Sequence, residues 1–320
     1  MRMHASRIVG LMVLLVLLGL PAVPAAQDAL GPPPGRLIDI GGRRLHLWCM
    51  GSGSPTVLFE AGASAFAIDF SLVQPEIAKT TRVCTYDRAG SGWSDARPDV
   101  ETPIRVIADL RAVLQAAGEK GPFVMVGASR GGLYVRLYQA EYPADVTGLV
   151  LINPAVEDQL FTMFEGKGVA ITDLTAEQYE SMQPPASTLI PIPTRQPQTG
   201  APFDRLPKAL YATRVELDRR LIASMPPTVT GAIAAEFGIA DHAMLSRLNT
   251  ARKGAPAVLE DLPLAVLTRG RGGQPGAHAE LAQMSRNGRH VIVPDAYHEI
   301  HLSDPDAVVK AVTDVALLVR

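Results

Sequence analysis

Residues 123–132 read Phe-Val-Met-Val-Gly-Ala-Ser-Arg-Gly-Gly. An apolar strand runs into Gly-x-Ser-x-Gly, and a helical pattern follows at once. A strand, a tight turn and a helix hold Ser129 on a sharp bend with its hydroxyl exposed. Gly127 and Gly131 belong there because a Cβ would collide within the crowded turn. The helix that follows points its N-terminus at the serine, so free backbone N–H groups face any oxyanion formed there. In this context Ser129 reads as a nucleophile.

Outward from this stretch the elements alternate. Arg36–Ile40 and Arg43–Met50 are strand-like, and Gly41-Gly42 between them signals a two-residue hairpin. Thr56–Glu60 and Arg82–Tyr86 follow as strands. Thr102-Pro103 opens a helix that ends at Gly118, with Ile104, Ile107, Leu110 and Leu114 at helical spacing. Gly148–Ile152, Leu264–Thr268 and His290–Val293 are further short apolar strands. Residues 276–287 and 305–319 read as helices. Strands alternating with helices imply an α/β class with a mainly parallel sheet covered on both faces. Residues 155–261 break the rhythm. They lack strong strand signals and carry seven prolines between Pro184 and Pro207. Helical patterns at Leu206–Ala223 and Thr230–Leu248 surround that loop. Inserted between two core strands, the segment reads as a helical lid over the carboxyl ends of the sheet.

A chain of 320 residues with 47% hydrophobic content fits one large α/β core with an insertion. Charge is nearly balanced, 30 basic against 32 acidic residues, so nucleic acid is not expected as a partner. Arg2 and Arg7 precede an apolar run, Ile8 to Leu20, and then Pro-Ala-Val-Pro-Ala-Ala. That order is a signal peptide over residues 1–26, with cleavage near Ala25 or Ala26 and export to the periplasm or medium. The alternative is an uncleaved N-terminal membrane anchor, since the apolar stretch approaches the roughly 20 residues a span needs. Export permits a bridge between the two cysteines, Cys49 and Cys84.

Four segments together resemble the α/β-hydrolase family over roughly residues 36–320. They are Phe-Glu-Ala-Gly-Ala-Ser from Phe59, Tyr-Asp-Arg-Ala-Gly-Ser-Gly-Trp-Ser-Asp from Tyr86, Gly-Ala-Ser-Arg-Gly at the turn, and Asp-Ala-Tyr-His-Glu-Ile-His-Leu-Ser-Asp-Pro from Asp295. The resemblance implies an eight-stranded, mostly parallel sheet, with a core of residues 36–154 and 262–320 and the insertion at 155–261. It implies Ser129 as nucleophile and His298 as general base, with oxyanion donors from the backbone of Ala63 and Arg130. It gives Asp87 and Arg88 a structural role. It also places Cys49 beside Cys84, so a disulfide is expected.

The base assignment has chemical support, because a serine hydroxyl needs a neighbouring base to take its proton. His298 lies in the polar loop between the last strand and the final helix. His301, three residues on, is the competitor; His46 reads as structural, and His242 lies in the lid. The third triad member departs from the family pattern. The loop after Leu264–Thr268 reads Thr-Arg-Gly-Arg-Gly-Gly-Gln-Pro-Gly and holds no acid. The other place, after Gly148–Ile152, holds Asn153, with Glu157 and Asp158 close behind. Glu157 is the leading expectation as the group that orients His298; Asn153 and Asp158 are alternatives, and Glu280 reads as surface.

No metal site is indicated, for there is no His-x-x-x-His, no Cys-x-x-Cys and no carboxylate cluster. Gly270–Gly273 lacks dinucleotide-fingerprint spacing, and no cofactor is expected. These features point to an exported serine hydrolase acting on a small-molecule ester through an acyl-enzyme. The rival reading is a non-catalytic binding protein of the same fold with a decayed triad.

Overall fold

The computed structural model describes residues 30–254 and 257–320. The expected signal peptide lies outside the described residues. The body considered below is Pro32–Arg320. Its strands are β1 (Arg36–Asp39), β2 (Arg44–Met50), β3 (Thr56–Glu60), β4 (Val83–Tyr86), β5 (Phe123–Ala128) and β6 (Val146–Ile152), then β7 (Phe161–Phe164), β8 (Lys167–Ala170), β9 (Leu189–Pro191) and β10 (Thr228–Thr230), and finally β11 (Leu264–Arg269) and β12 (Gly288–Val293). Its helices are α1 (Gln74–Ile77), α2 (Pro103–Ala117), α3 (Gly131–Glu141), α4 (Ala176–Ser181), α5 (Lys208–Ser224), α6 (Gly231–Lys253), α7 (Pro275–Ala282), α8 (Ile300–Ser303) and α9 (Pro305–Leu318).

Eight strands form one sheet in the order β1-β2-β4-β3-β5-β6-β11-β12. β2 runs antiparallel to β1 and to β4, and the remaining pairs are parallel. Alternate residues of the central strands feed opposite cores, as the period-2 pleat requires. Leu58, Met125, Leu149 and Val266 pack with α2 and α3, whereas Phe59, Val126, Val150 and Leu267 pack with α9. All six residues of β5 are buried, which is why its sequence shows a continuous apolar run. In α2 the buried stripe is Val106, Ile107, Leu110, Val113 and Leu114, while Ile104 is 51% exposed and faces out instead.

The strand order reverses direction between β3 and β5. Loops leaving the carboxyl ends of these neighbours diverge, and the crevice between them is the natural binding position of such a sheet. Ser129 follows β5, and the Ala61–Ser64 loop follows β3.

The segment between β6 and β11 contains α4, α5 and α6, as the helical patterns suggest. It also holds four short strands, contrary to expectation: an antiparallel β7–β8 hairpin and a β9–β10 pair. Each is only three or four residues long, and β9 ends in Pro191, so neither ribbon presents the alternating run by which a strand is recognised. Among the described residues no helix is long and apolar enough to cross a membrane.

Cys49 and Cys84 face each other across β2 and β4 and form a disulfide, with Cα atoms 4.0 Å apart.

Candidate active site

Ser129 has a φ of +49°, in the left-handed region that an L-residue enters only when its surroundings impose it. Its N–H donates to Ile152 O at 3.0 Å, and its carbonyl accepts from Gly132 and Ala155 N–H, each at 3.0 Å. The glycines around it leave no alternative. A Cβ on Gly127 would lie 2.5 Å from Gly131 O, and one on Gly131 would lie 2.3 Å from Glu60 O. The turn is therefore pressed against the end of β3, and Gly62 approaches the Ser129 Cβ.

Ala63 and Arg130, the expected oxyanion donors, flank this serine. Their N–H groups carry no hydrogen bond among the described residues. Arg88 holds the Ala63 side in place. Its Nη1 donates to Glu60 Oε1 and to Ala61 O, both at 2.7 Å, and its Nη2 donates to Gly62 O at 2.6 Å. Glu60 is fully buried and also accepts from the Tyr86 hydroxyl. Burial pushes its carboxyl above the usual range, and the Arg88 charge opposes that shift. Asp87 organises the neighbouring turn, accepting from Ala67 N–H at 2.8 Å and Trp93 N–H at 3.2 Å and bonding His46 Nδ1 at 2.7 Å. Asp87, Arg88 and His46 are thus framework, as the sequence suggests, and Arg88 supports the loop where an oxyanion donor is expected.

On the other side of the elbow, the Arg130 side chain reaches the inserted segment. Its Nε donates to Tyr134 Oη at 2.8 Å, and its Nη2 pairs with Asp241 of α6.

His298 lines two cavities, and Ser129 lines both with it. One, of about 210 Å³, is bordered by Gly62, Ala63, Gln198, Phe203, Arg214 and His301. The other, of about 190 Å³, is bordered by Asn153, Pro154, Leu160, Arg269 and His278. Burial holds the His298 imidazole below the usual histidine range; Glu299 opposes this and Arg269 adds to it. The ring is therefore neutral at neutral pH, the state a general base requires.

The partner of His298 is Asn153, not Glu157. Asn153 has a φ of +41°, and its N–H donates to Leu267 O at 2.7 Å. The kink turns its side chain so that Nδ2 donates to His298 Nδ1 at 2.8 Å, while Oδ1 accepts from Arg269 N–H at 3.3 Å. Glu157 is wholly buried between two guanidinium groups, ion-paired with Arg136 and with Arg252 Nε at 3.2 Å. Arg136 sits on α3, and a buried cation needs a counter-charge, so the glutamate is committed to it. Asp158 pairs with Arg252 at 2.7 Å and Lys253 at 3.0 Å, and Glu280 reaches Arg252 from a half-exposed position on α7. No carboxylate among these meets the imidazole.

Behind Asn153 lies a polar relay. His278 Nε2 donates to Pro154 O at 2.9 Å, so its Nδ1 accepts from Thr268 Oγ1 at 2.7 Å. That hydroxyl in turn accepts from His290 Nε2 at 2.8 Å. Burial brings His278 down to about 4, consistent with a neutral ring. His242 is buried in the inserted segment, where it bonds Leu174 O at 3.0 Å and stacks on Tyr179. His301 is buried as well, but in the wall of the first cavity. Arg214 and Gln198 complete that wall from the insertion. Nothing in their local sequence marks them, because they reach the site only through the fold.

Solved structures with the same fold include an esterase from Thermogutta terrifontis (20% identity, TM-score 0.59, covering 90% of this chain and 99% of that one). An enol-lactonase from Burkholderia xenovorans LB400 is similar at 18% identity and TM-score 0.59, over 88% and 99% of the two chains. Among curated proteins, a 2-hydroxymuconate semialdehyde hydrolase of Pseudomonas sp. (strain CF600) is 32% identical over 127 residues, 39% of this chain and 44% of that protein. The first curated relatives are matched over less than half their own length, from 18% to 43%. Residues 45–311 match the model of the "Alpha/beta hydrolase family", and with most of the chain inside that match, the protein belongs to this family.

Proposed function

We propose that the protein is an exported serine hydrolase that cleaves a carboxylic ester through an acyl-enzyme on Ser129. The observation that carries this reading is the elbow. Ser129 is held at positive φ beside the Gly62–Ala63 loop, with two N–H groups left over and a neutral imidazole lining the same cavities. Ser129 Oγ attacks the ester carbonyl while His298 Nε2 takes its proton. The N–H groups of Ala63 and Arg130 receive the oxyanion. The same proton passes to the leaving alkoxide, and water then cleaves the acyl-enzyme by the reverse roles. The segment 155–261 acts as a lid, since Gln198, Phe203 and Arg214 border the cavity from it.

Asn153 sets the rate of this chemistry. With its Nδ2 donating to His298 Nδ1, the ring proton resides on Nε2, the wrong nitrogen for a base. Catalysis requires the amide to turn so that Oδ1 accepts from Nδ1–H, against the Arg269 N–H that holds Oδ1 now. The enzyme is accordingly slower than one with a carboxylate there. The same observation favours a second reading, a binding protein whose triad has lost its charge. Labelling by a fluorophosphonate separates the two: the enzyme forms an adduct on Ser129, and the binding protein forms none.

A further inference from the structure

The second cavity beside Ser129 and His298 is bordered by a cation without a counter-ion. Arg269 ends β11 and is half-buried. Its Nη2 donates to Gly272 O at 2.9 Å. Its Nε is enclosed by protein and has no partner, whereas Nη1 has no partner among the described residues and keeps accessible surface. Nη1 is therefore the atom that Arg269 can present to the cavity. Other buried or half-buried arginines meet a carboxylate. Arg88 pairs with Glu60, Arg130 with Asp241, Arg214 with Asp69, and Arg136 and Arg252 with Glu157. Among the described arginines that are not exposed, Arg269 alone meets none. A guanidinium keeps its charge in a protein, and one drawn partly out of water favours an anion beside it.

The rest of this wall carries no charge to compete. Asn153, Gln159 and Gln274 are amides, and no aspartate or glutamate borders the cavity. His278 and His298 are held neutral by burial. Glu299, which acts on His298, borders the first cavity instead. The carboxylates nearest along the chain are engaged elsewhere, Glu157 and Asp158 with Arg136, Arg252 and Lys253, and Asp295 with Arg271. The first cavity has the opposite balance: its guanidinium, Arg214, is already paired with Asp69, and Glu299 stands in the wall. Pro154, Val156 and Leu160 add apolar surface to the second cavity. Its volume of about 190 Å³ has room for roughly six water-sized groups at about 30 Å³ each.

We infer that this cavity is a subsite for a carboxylate carried by one short arm of the ester, and that Arg269 binds it through Nη1. The substrates are then half-esters of short dicarboxylic acids, or acyl esters of short hydroxy acids. The inference rests on the ester-hydrolase reading and extends it to a substrate class. A hydrogen bond between a guanidinium and a carboxylate is stronger than one between neutral groups. Anchoring the far end of a short arm also leaves the ester carbonyl little freedom at Ser129.

The test compares kcat/KM within two pairs that differ by a carboxylate against a methyl ketone of nearly the same shape. For the acyl arm they are monoethyl glutarate and ethyl 5-oxohexanoate. For the alcohol arm they are 4-acetoxybutanoate and 5-acetoxypentan-2-one. The anionic member should win by about tenfold or more in one pair, the scale of a hydrogen bond to a charged group. In Arg269→Gln that ratio should fall towards one. In Arg269→Lys, which keeps the charge but not the planar fork, part of it should survive. In Arg271→Gln, at an exposed arginine two residues on, the ratio should stay as it is. An equal fall in that variant would mean a general attraction of anions and would overturn the inference. A purely structural Arg269 would lower both members alike and leave the ratio intact, overturning it too. Equal rates within both pairs in the unaltered protein, or a preference for the ketones, would overturn it even where a variant fails to fold. Calorimetry with the matching amides, glutaramate against 5-oxohexanamide and 4-acetamidobutanoate against 5-acetamidopentan-2-one, reads the same preference without turnover. Absence of all ester cleavage would therefore remove the ester-hydrolase reading, while the amides still decide the subsite.

Discussion

The two sides of the candidate site obey different physics. Around Ser129, position is enforced by main-chain sterics: Gly127 and Gly131 admit no side chain, and Arg88 fixes the facing loop through its carbonyls. Around the far nitrogen of His298, position is decided by charge. An amide stands where a carboxylate is expected, and the nearby carboxylates are held by Arg136 and Arg252. In the proposed mechanism the nucleophile's geometry and the stabilisation of its base are thus separable. One can be complete while the other is weak.

The strongest way to break that contrast is to remove the nucleophile. Ser129→Ala should abolish fluorophosphonate labelling and lower ester kcat by about 10⁴–10⁶-fold. Retention of most turnover would mean that the steric side of the site is not the reactive one. Next comes Glu157→Gln, which leaves Arg136 without its counter-charge. Urea denaturation should show a loss of about 3 kcal/mol, with kcat of the folded protein within about threefold. A large fall in kcat at unchanged stability would return Glu157 to the imidazole. Asn153→Asp sharpens the comparison from the other direction, since it supplies the missing charge. Steady-state kinetics should give a rise in kcat of roughly ten- to a hundredfold; the opposite exchange in a complete triad is strongly deleterious. An unchanged or reduced kcat would show that the amide is not limiting. The smallest effect is on pH. Burial keeps His298 deprotonated below the usual histidine range, so activity should be lost only as pH falls beneath that range. In Asn153→Asp the new negative charge favours the imidazolium, and the acidic limb of kcat/KM should move up by about one unit. A limb in the same place for both proteins would separate Asn153 from the titrating group.

The core strands and the elbow are visible in the chain because their signals are local, whereas the pairing of Cys49 with Cys84, 35 residues apart, is expected only from the family resemblance. Apolar runs, paired glycines and a Gly-x-Ser-x-Gly stretch each act within a few residues of themselves. The partner of His298 is not visible in that way. Asn153, Glu157 and Asp158 lie within six positions, and choosing among them requires the positive φ at Asn153 and the burial of two arginines, one of them on α6. The expectation of Glu157 follows from charge alone, and the counter-charges that claim it arrive from elsewhere in the fold. Gln198 and Arg214 are hidden for the same reason. A buried guanidinium is an ordinary residue until packing excludes water from it.

Arg130 adjoins Ser129, and its backbone N–H is one of the two proposed oxyanion donors, while its side chain is tied to Asp241 on α6. The same residue is therefore both a proposed contact for the reacting oxygen and the anchor point of a helix in the inserted segment. A displacement of α6 pulls on the elbow directly, with no intervening residue to absorb it. The two are geared together: substitutions on α6 that never touch a substrate will register at the nucleophile, and occupancy of the oxyanion position will register in the mobility of α6.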